Sequence, residues 1–531
     1  MPTYIPQRSP SDKFRTLVVL LDGTGDSVDE DVTNIVMMKE MLLGDQKSQS
    51  RDSDKQMVLY VRGIGSSMDD FDPSFDDKKT HSWRGMIGST LDKAAGGSLP
   101  EFVQTPYRWL GKNYKDGDRI CIFGFSRGAY TARVLAGIIN GLGLLPLTAD
   151  GKQDHLVAKA YDLYDNFADL AYEKKHPKQM EQDWLALQGQ YQEFKTKYEC
   201  REPFIEFLGC WDTVNSVSYA RALQLGFTHR EDIKLGFTRT NDIVRTFRHA
   251  IALDEHRVKF KQSNWSGPAK EVPDSADRPK SKTPRVKTDA EEVWFAGCHC
   301  DIGGGSVPNA TRPNLAHISL RWMVRECFKK NTGMIFDAEK IQKIGINPAN
   351  LYPVYKSRSE ESSFVPLGPA DIQVIEPQSW ASWAYSFVPS FPTFSAKKKI
   401  DPFALTTPTQ TEDELDAADA LAPMYDQLAI HPIKWGALEN MKLDKEKKLA
   451  DGSWGVVEEA HKGKGRTIPP PEVQHGGKIK VHRTVRMRME GTLKNGEKKG
   501  QRYVPLALVG YVEKKTPFEE AVSKGWIQWV A

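Results

Sequence analysis

The sequence predicts an α/β fold with a mostly parallel central sheet flanked by helices. Three observations predict it. Short, nearly continuous apolar runs recur at residues 16–21 (TLVVLL), 57–61 (MVLYV), 119–125 (RICIFGF), 204–210 (FIEFLGC) and 292–297 (EVWFAG), the pattern of strands buried on both faces. Segments with helical spacing of apolar residues fill the gaps at 32–43, 101–113, 127–143 and 314–328, and this alternation is that of an α/β architecture. Each run also ends in glycine or small polar residues, at the sheet edge where such folds bind their ligands.

The elements that break this alternation set the domain expectations. Residues 150–200 read as a polar helical insertion or cap after the helix at 127–143, carrying Tyr161, Tyr164, Phe167 and Trp184. Residues 265–290, rich in Pro, Lys, Asp and Ser, read as a mobile loop. The catalytic unit is expected over 1–330. Residues 331–531 form an irregular C-terminal extension packed on it. Within that extension, 377–394 (PQSWASWAYSFVPSFPTF) is an aromatic, proline-broken candidate lid. Val485, Met487 and Met489 alternate with Arg486 and Arg488, which reads as a half-exposed strand.

Composition narrows the function classes. Hydrophobic residues make up 39% and charged residues 27% of the 531-residue chain, enough apolar content for a full core. A net charge of +3 argues against a dedicated nucleic-acid binder. The six cysteines (121, 200, 210, 298, 300 and 327) form no C-x-x-C pair and read as reduced thiols of a cytoplasmic protein. The N-terminal residues have no apolar signal core, and no run of about 18 apolar residues would span a membrane. No cofactor is expected. A metal site is not expected either, because Cys298-His299-Cys300 is too tightly spaced for the usual zinc arrangements.

The chemistry concentrates at the run ends. Gly124-Phe125-Ser126-Arg127-Gly128 matches G-x-S-x-G, the strand-to-helix bend that presents a serine nucleophile. The glycines two residues on either side remove Cβ atoms that would crowd the bend. Such a serine needs a base and an acid that orients it, in the chain order Ser, Asp or Glu, His. Asp212 ends the fourth run and His299 follows the fifth, so both should share an edge with Ser126. Asp254, in RHAIALDEHRVKF, is a rival acid, and Asp301 is another although it lies close to His299 in sequence. The oxyanion hole should use the backbone N–H of Arg127 and a donor from Asp22-Gly23-Thr24-Gly25 after the first run, that is Gly23 or Thr24. Asp22 is expected to support this loop by pairing with the Arg127 side chain.

LLDGTGDS, GFSRGAYTAR, CWDTV, RHAIALDEHR and WFAGCHCDIGGG, in this order, resemble the uncharacterised α/β-hydrolase domain family, domain-of-unknown-function family 2235. That family includes bacterial type VI secretion phospholipase effectors and many fungal proteins. The resemblance runs from residue 14 to about 330, continues in LAHISLRWM, and is faint thereafter. It implies an α/β-hydrolase-like fold, Ser126 as nucleophile, and roles for His299, Asp301 and Asp212 at the family's histidine and aspartate positions. The expected function is a serine esterase of phospholipase or lipase type that cleaves lipid or other small-molecule esters, with peripheral membrane contact and no nucleic-acid partner. A non-catalytic binding or assembly module is the alternative. Phosphoryl transfer is a weaker one, since LVVLLDGT carries Leu20 where that chemistry needs an aspartate.

Overall fold

The computed structural model describes residues 4–8, 13–23, 32–44, 55–63, 99–172, 177–214, 241–265, 286–309, 311–351, 403, 411–440, 442–448, 454–474, 476–491, 503–510 and 515–531. The candidate lid at 377–394, most of the 265–290 loop and Thr24 therefore lie outside the described residues.

An eight-stranded sheet organises the molecule. Its strands are β1 (Thr16–Leu21), β2 (Gln56–Val61), β3 (Arg119–Phe125), β4 (Ile205–Trp211), β5 (Val244–Ala252), β6 (Asp289–Phe295), β7 (Ile479–His482) and β8 (Ile527–Val530). Their order across the sheet is β8-β7-β6-β5-β4-β3-β1-β2, and every neighbouring pair is parallel. From β3 onward the strands are laid down in sequence order. The functional loops therefore emerge side by side at one edge.

Side-chain alternation along β1 shows why both faces are apolar. Leu17, Val19 and Leu21 pack into one core with α2 (Leu99–Asn113), α3 (Arg127–Leu142), α4 (His155–Tyr172) and α5 (Pro177–Lys197). Val18 and Leu20 point into the opposite core, with α1 (Asn34–Met41) and α7 (Ala316–Lys329). Successive strand residues face opposite ways, so an unbroken apolar run is what two covered faces require. Helices α4 and α5 occupy the 150–200 segment. Val157, Tyr161, Tyr164, Trp184, Tyr191 and Phe194 from these helices are buried in the first core.

The C-terminal third is more regular than its sequence suggests. It contributes β7 and β8 to the central sheet, and Ile479, Val481, Val485, Tyr503, Val509 and Phe518 form a third core with Ile251, Leu253 and Trp294. The alternating Val485–Met489 stretch is not a strand but part of α10 (Arg483–Glu490), which follows α8 (Glu412–Ala420) and α9 (Pro432–Asn440). His482 caps α10 by accepting from the Thr484 N–H, and the helix buries Thr484, Val485 and Arg488, the last two three residues apart on one face. Among the described residues no helix is long and apolar enough to cross a membrane.

Candidate active site

Ser126 sits where β3 turns into α3, with φ 59° and ψ −123°. Positive φ is uncommon for a residue with a side chain and marks a locally strained bend. The flanking glycines make the bend sterically feasible. A Cβ on Gly124 would lie 2.6 Å from the Cα of Ala129, and one on Gly128 would run into the backbone oxygens of Leu21 and Asp22. The strand donates the Ser126 N–H to Trp211 O at 3.0 Å. Its side chain does not cap α3 and is turned instead toward a histidine.

That histidine is His299, the first residue of the short helix α6 (His299–Gly303) after β6. His299 Nε2 lies 2.7 Å from Ser126 Oγ, and Nδ1 lies 2.6 Å from Asp212 Oδ2. Asp212 follows β4 with φ 40°, and its N–H donates to Ala250 O at 2.7 Å. Three strand ends thus bring together serine, histidine and aspartate, all buried. The His299 ring is held between Phe125 and Phe260, with centroids at 4.7 and 4.8 Å. Its backbone N–H donates to Glu255 Oε2 at 3.2 Å.

The electrostatics follow from burial and partners. Burial alone would push the Asp212 carboxyl up, but the Arg466 guanidinium and His299 outweigh it and hold Asp212 well below the usual carboxylate range. Burial pushes the His299 imidazole below its ordinary value, only partly offset by Asp212. Arg257 adds to the depression and is itself paired with Glu255 at 2.8 Å.

The rival acids have other partners. Asp254 accepts from Gly297 N (2.7 Å), Tyr503 Oη (2.6 Å) and Leu506 N (3.0 Å). Asp301 closes a capping box on α6 by accepting from Cys298 N at 2.8 Å, and it also accepts from Tyr425 N. Neither meets the His299 ring. Burial pushes the Asp301 carboxyl up to about 7.

The loop after β1 differs from expectation. Gly23 lies against the serine: a Cβ there would be 3.5 Å from Ser126 Cβ. Its N–H, however, donates to Asp22 Oδ1 at 2.7 Å. The Asp22 carboxylate is filled by that bond together with Thr33 Oγ1 and Tyr60 Oη, each at 2.7 Å, with Arg62 as the nearby cation. The expected Asp22–Arg127 pair is absent because these donors already occupy the carboxylate. Burial without a compensating charge instead lowers the Arg127 guanidinium to about 10. Among the described residues no group of three or more His, Cys, Asp or Glu is placed to hold a metal ion.

Sequence reasoning passed over Phe260 and Arg466, and it saw Glu255 and Arg257 crowd near Asp254 without pairing them. Arg466 lies 254 positions from Asp212, in a basic stretch without a motif, and nothing local marks it.

A parallel α/β sheet with a strained serine at a G-x-S-x-G bend is the architecture of the α/β-hydrolase-like class. Residues 15–326 match the family described as the type VI secretion system phospholipase effector Tle1-like catalytic domain, and the chain belongs to that family. It is 25% identical over 424 residues to the uncharacterized protein YEL023C of Saccharomyces cerevisiae, covering 60% of this chain and 58% of that one. Two solved structures are similar in part. An uncharacterized protein from Pseudomonas aeruginosa aligns with 17% identity and a TM-score of 0.31, over 60% of this chain and 46% of that one. A Tle1 effector bound to the VgrG spike of a type 6 secretion system aligns with 15% identity and a TM-score of 0.26, over 58% and 54%. The chain thus spans about half the length of each relative. The fold assignment stands on the sheet order above and not on these two superpositions.

Proposed function

We propose that this protein is a serine hydrolase that cleaves carboxylic esters of lipids, phospholipids foremost, through an acyl-enzyme on Ser126. The observation that carries the reading is the continuous hydrogen-bonded line Ser126 Oγ, His299 Nε2, His299 Nδ1, Asp212 Oδ2, at 2.7 and 2.6 Å. The lipid substrate rests on the family description.

In this mechanism His299 Nε2 takes the proton from Ser126 as its Oγ bonds to the ester carbonyl carbon. Asp212 accepts the Nδ1–H throughout, which fixes the working tautomer and stabilises the imidazolium. Negative charge on the former carbonyl oxygen faces the Arg127 N–H at the start of α3, one of the helix-terminal donors without an intrahelical acceptor. The Gly23 N–H is the candidate second donor once it turns from Asp22. His299 then returns its proton to the leaving alcohol as the ester C–O bond breaks. Water deprotonated by His299 attacks the acyl-enzyme, releases the fatty acid and restores Ser126. Asp22 supports no phosphoryl-transfer role, since its carboxylate is filled by Gly23, Thr33 and Tyr60. Phosphatidylcholine vesicles should yield free fatty acid and lysophospholipid with the wild type and neither with Ser126→Ala. Fatty acid released equally by both would overturn the reading.

A further inference from the structure

We propose that Arg466, from the C-terminal third, is a positioning residue for the Ser126–His299–Asp212 line. It holds Asp212 ionised and in register with His299 and thereby sets the pH at which His299 can act as a base. The inference rests on the reading above for its consequence in catalysis, but its geometry stands alone.

Arg466 reaches into the site from just before the short strand Thr467–Ile468, and its backbone is fixed there. Leu508 N donates to Arg466 O at 2.9 Å, and Gln262 Nε2 donates to Thr467 O at 2.7 Å. The guanidinium is buried, with 3% of the side chain exposed. It grips the carboxylate with both arms, Nη1 to Oδ1 at 2.5 Å and Nη2 to Oδ2 at 2.9 Å. The remaining donors go to Ala252 O (3.1 Å from Nη1) and to Phe260 O (2.6 Å from Nη2 and 3.1 Å from Nε). All five N–H groups of the fork are thereby used. They join the end of β4, the end of β5 and the residue whose ring packs on His299. A lysine has neither the planar fork nor enough donors for this arrangement.

A buried ion pair is weak support for stability by itself, because desolvation offsets its attraction. Its location is what matters here. Asp212 is completely buried, so without a cation it would lean toward protonation and lose its hold on the imidazole. The charges around His299 are Asp212 after β4, Glu255 and Arg257 after β5, and Arg466 beyond Asp212. Removing the Arg466 cation from Asp212 makes the His299–Asp212 pair take up its first proton at higher pH. Arg466 lies outside residues 15–326. The proposed site is therefore completed by chain beyond the segment matched to the family domain.

The test compares the full-length wild type, Arg466→Lys, Arg466→Met and the double variant Asp212→Asn/Arg466→Met. Two readouts are taken: the pH profile of kcat/KM on phosphatidylcholine, and His299 titration by NMR with 15N-histidine labelling, assigned with His299→Gln. Arg466→Met should lower kcat about 10-fold or more with KM nearly unchanged. It should also move the acid limb and the His299 titration upward together, by about one pH unit. Arg466→Lys should restore most of the shift but only part of kcat. If Arg466→Met is unfolded, Arg466→Gln, which removes the charge but keeps hydrogen-bond donors, carries the test. The double variant, which leaves no buried charge unpaired, shows whether the fold needed the guanidinium. A His299 titration and acid limb that stay at wild-type values in a folded, charge-neutral Arg466 variant overturn the proposal, whatever happens to amplitude. A His299 shift in the Arg466 variants, alongside a wild-type protein that hydrolyses no ester, would sink the proposed function and leave the Asp212–Arg466 coupling standing.

Discussion

The family-matched core and the C-terminal third contribute to one site in different ways. The core places the proposed reacting groups at three strand ends along one sheet edge: Ser126 after β3, Asp212 after β4 and His299 after β6. The C-terminal third supplies none of them, yet it reaches the loop after β5 repeatedly. His256 contacts Asp426 at 2.9 Å, the Val258 N–H donates to Glu439 Oε1 at 2.6 Å, and Arg257 lies over the Trp435 ring at 4.8 Å. Asp254 is tied to Tyr503 and Asp212 to Arg466. One region carries the proposed chemistry. The other fixes the loops that align it, and the strands β7 and β8 make it part of the same sheet.

The sharpest way to break this comparison is to remove the core's chemistry. Ser126→Ala should lower kcat/KM about 10⁴-fold or more, read by fatty-acid release from vesicles. Asp212→Asn should cost about 10³- to 10⁴-fold because the imidazole loses its tautomer lock. Asp254→Asn and Asp301→Asn should stay within a few-fold of wild-type turnover and instead lose about 1–3 kcal/mol of stability in denaturant melts, having lost buried hydrogen bonds. If Asp254→Asn abolished turnover in folded protein while Asp212→Asn did not, the acid would be misassigned. Tyr503→Phe, a C-terminal change that loosens the tie to Asp254, should cost about 1 kcal/mol of stability and leave kcat alone.

Two pH effects are smaller. His299 is depressed below its ordinary 6.5 by burial, so it stays neutral, and able to accept a proton, as pH falls through that value. The acid limb of kcat/KM should therefore lie below pH 6.5; a midpoint above 7 would contradict the burial argument. Burial pushes the His482 imidazole down to about 3. It stays neutral in the folded state while the unfolded chain protonates below 6.5. Stability should then fall as pH drops from 6.5 toward 3, with a slope of up to about 1.4 kcal/mol per pH unit from this one group. His482→Asn keeps an α10 cap and should flatten that slope.

What could be read in the sequence follows the same division. Apolar runs and the residues ending them are local signals, so five strands, four helices, the serine bend and the residues that meet at it were all legible. β5 was not, because Arg248 and His249 interrupt its apolar pattern. Both are buried and paired, Arg248 with Glu326 at 2.6 Å and His249 with Glu292 at 2.9 Å. The strand survives charges that a local reading counts against it. α10 was misread because five residues of alternating character fit a strand as well as a helix whose buried positions are three apart. Gly23, expected as an oxyanion donor, lies beside the serine, but its N–H bond to Asp22 depends on side-chain rotation that no spacing encodes. Arg466 is the extreme case, since its meaning exists only once β4, β5 and the C-terminal chain have assembled.

The central claim is that Ser126 is an activated nucleophile. It is tested most directly by reacting the folded protein with a fluorophosphonate and locating the adduct by peptide mass spectrometry. The account predicts a single phosphonylated site at Ser126, absent in Ser126→Ala and strongly slowed in His299→Ala. An unmodified Ser126 in folded wild-type protein, or an identical adduct yield in Ser126→Ala, would contradict it.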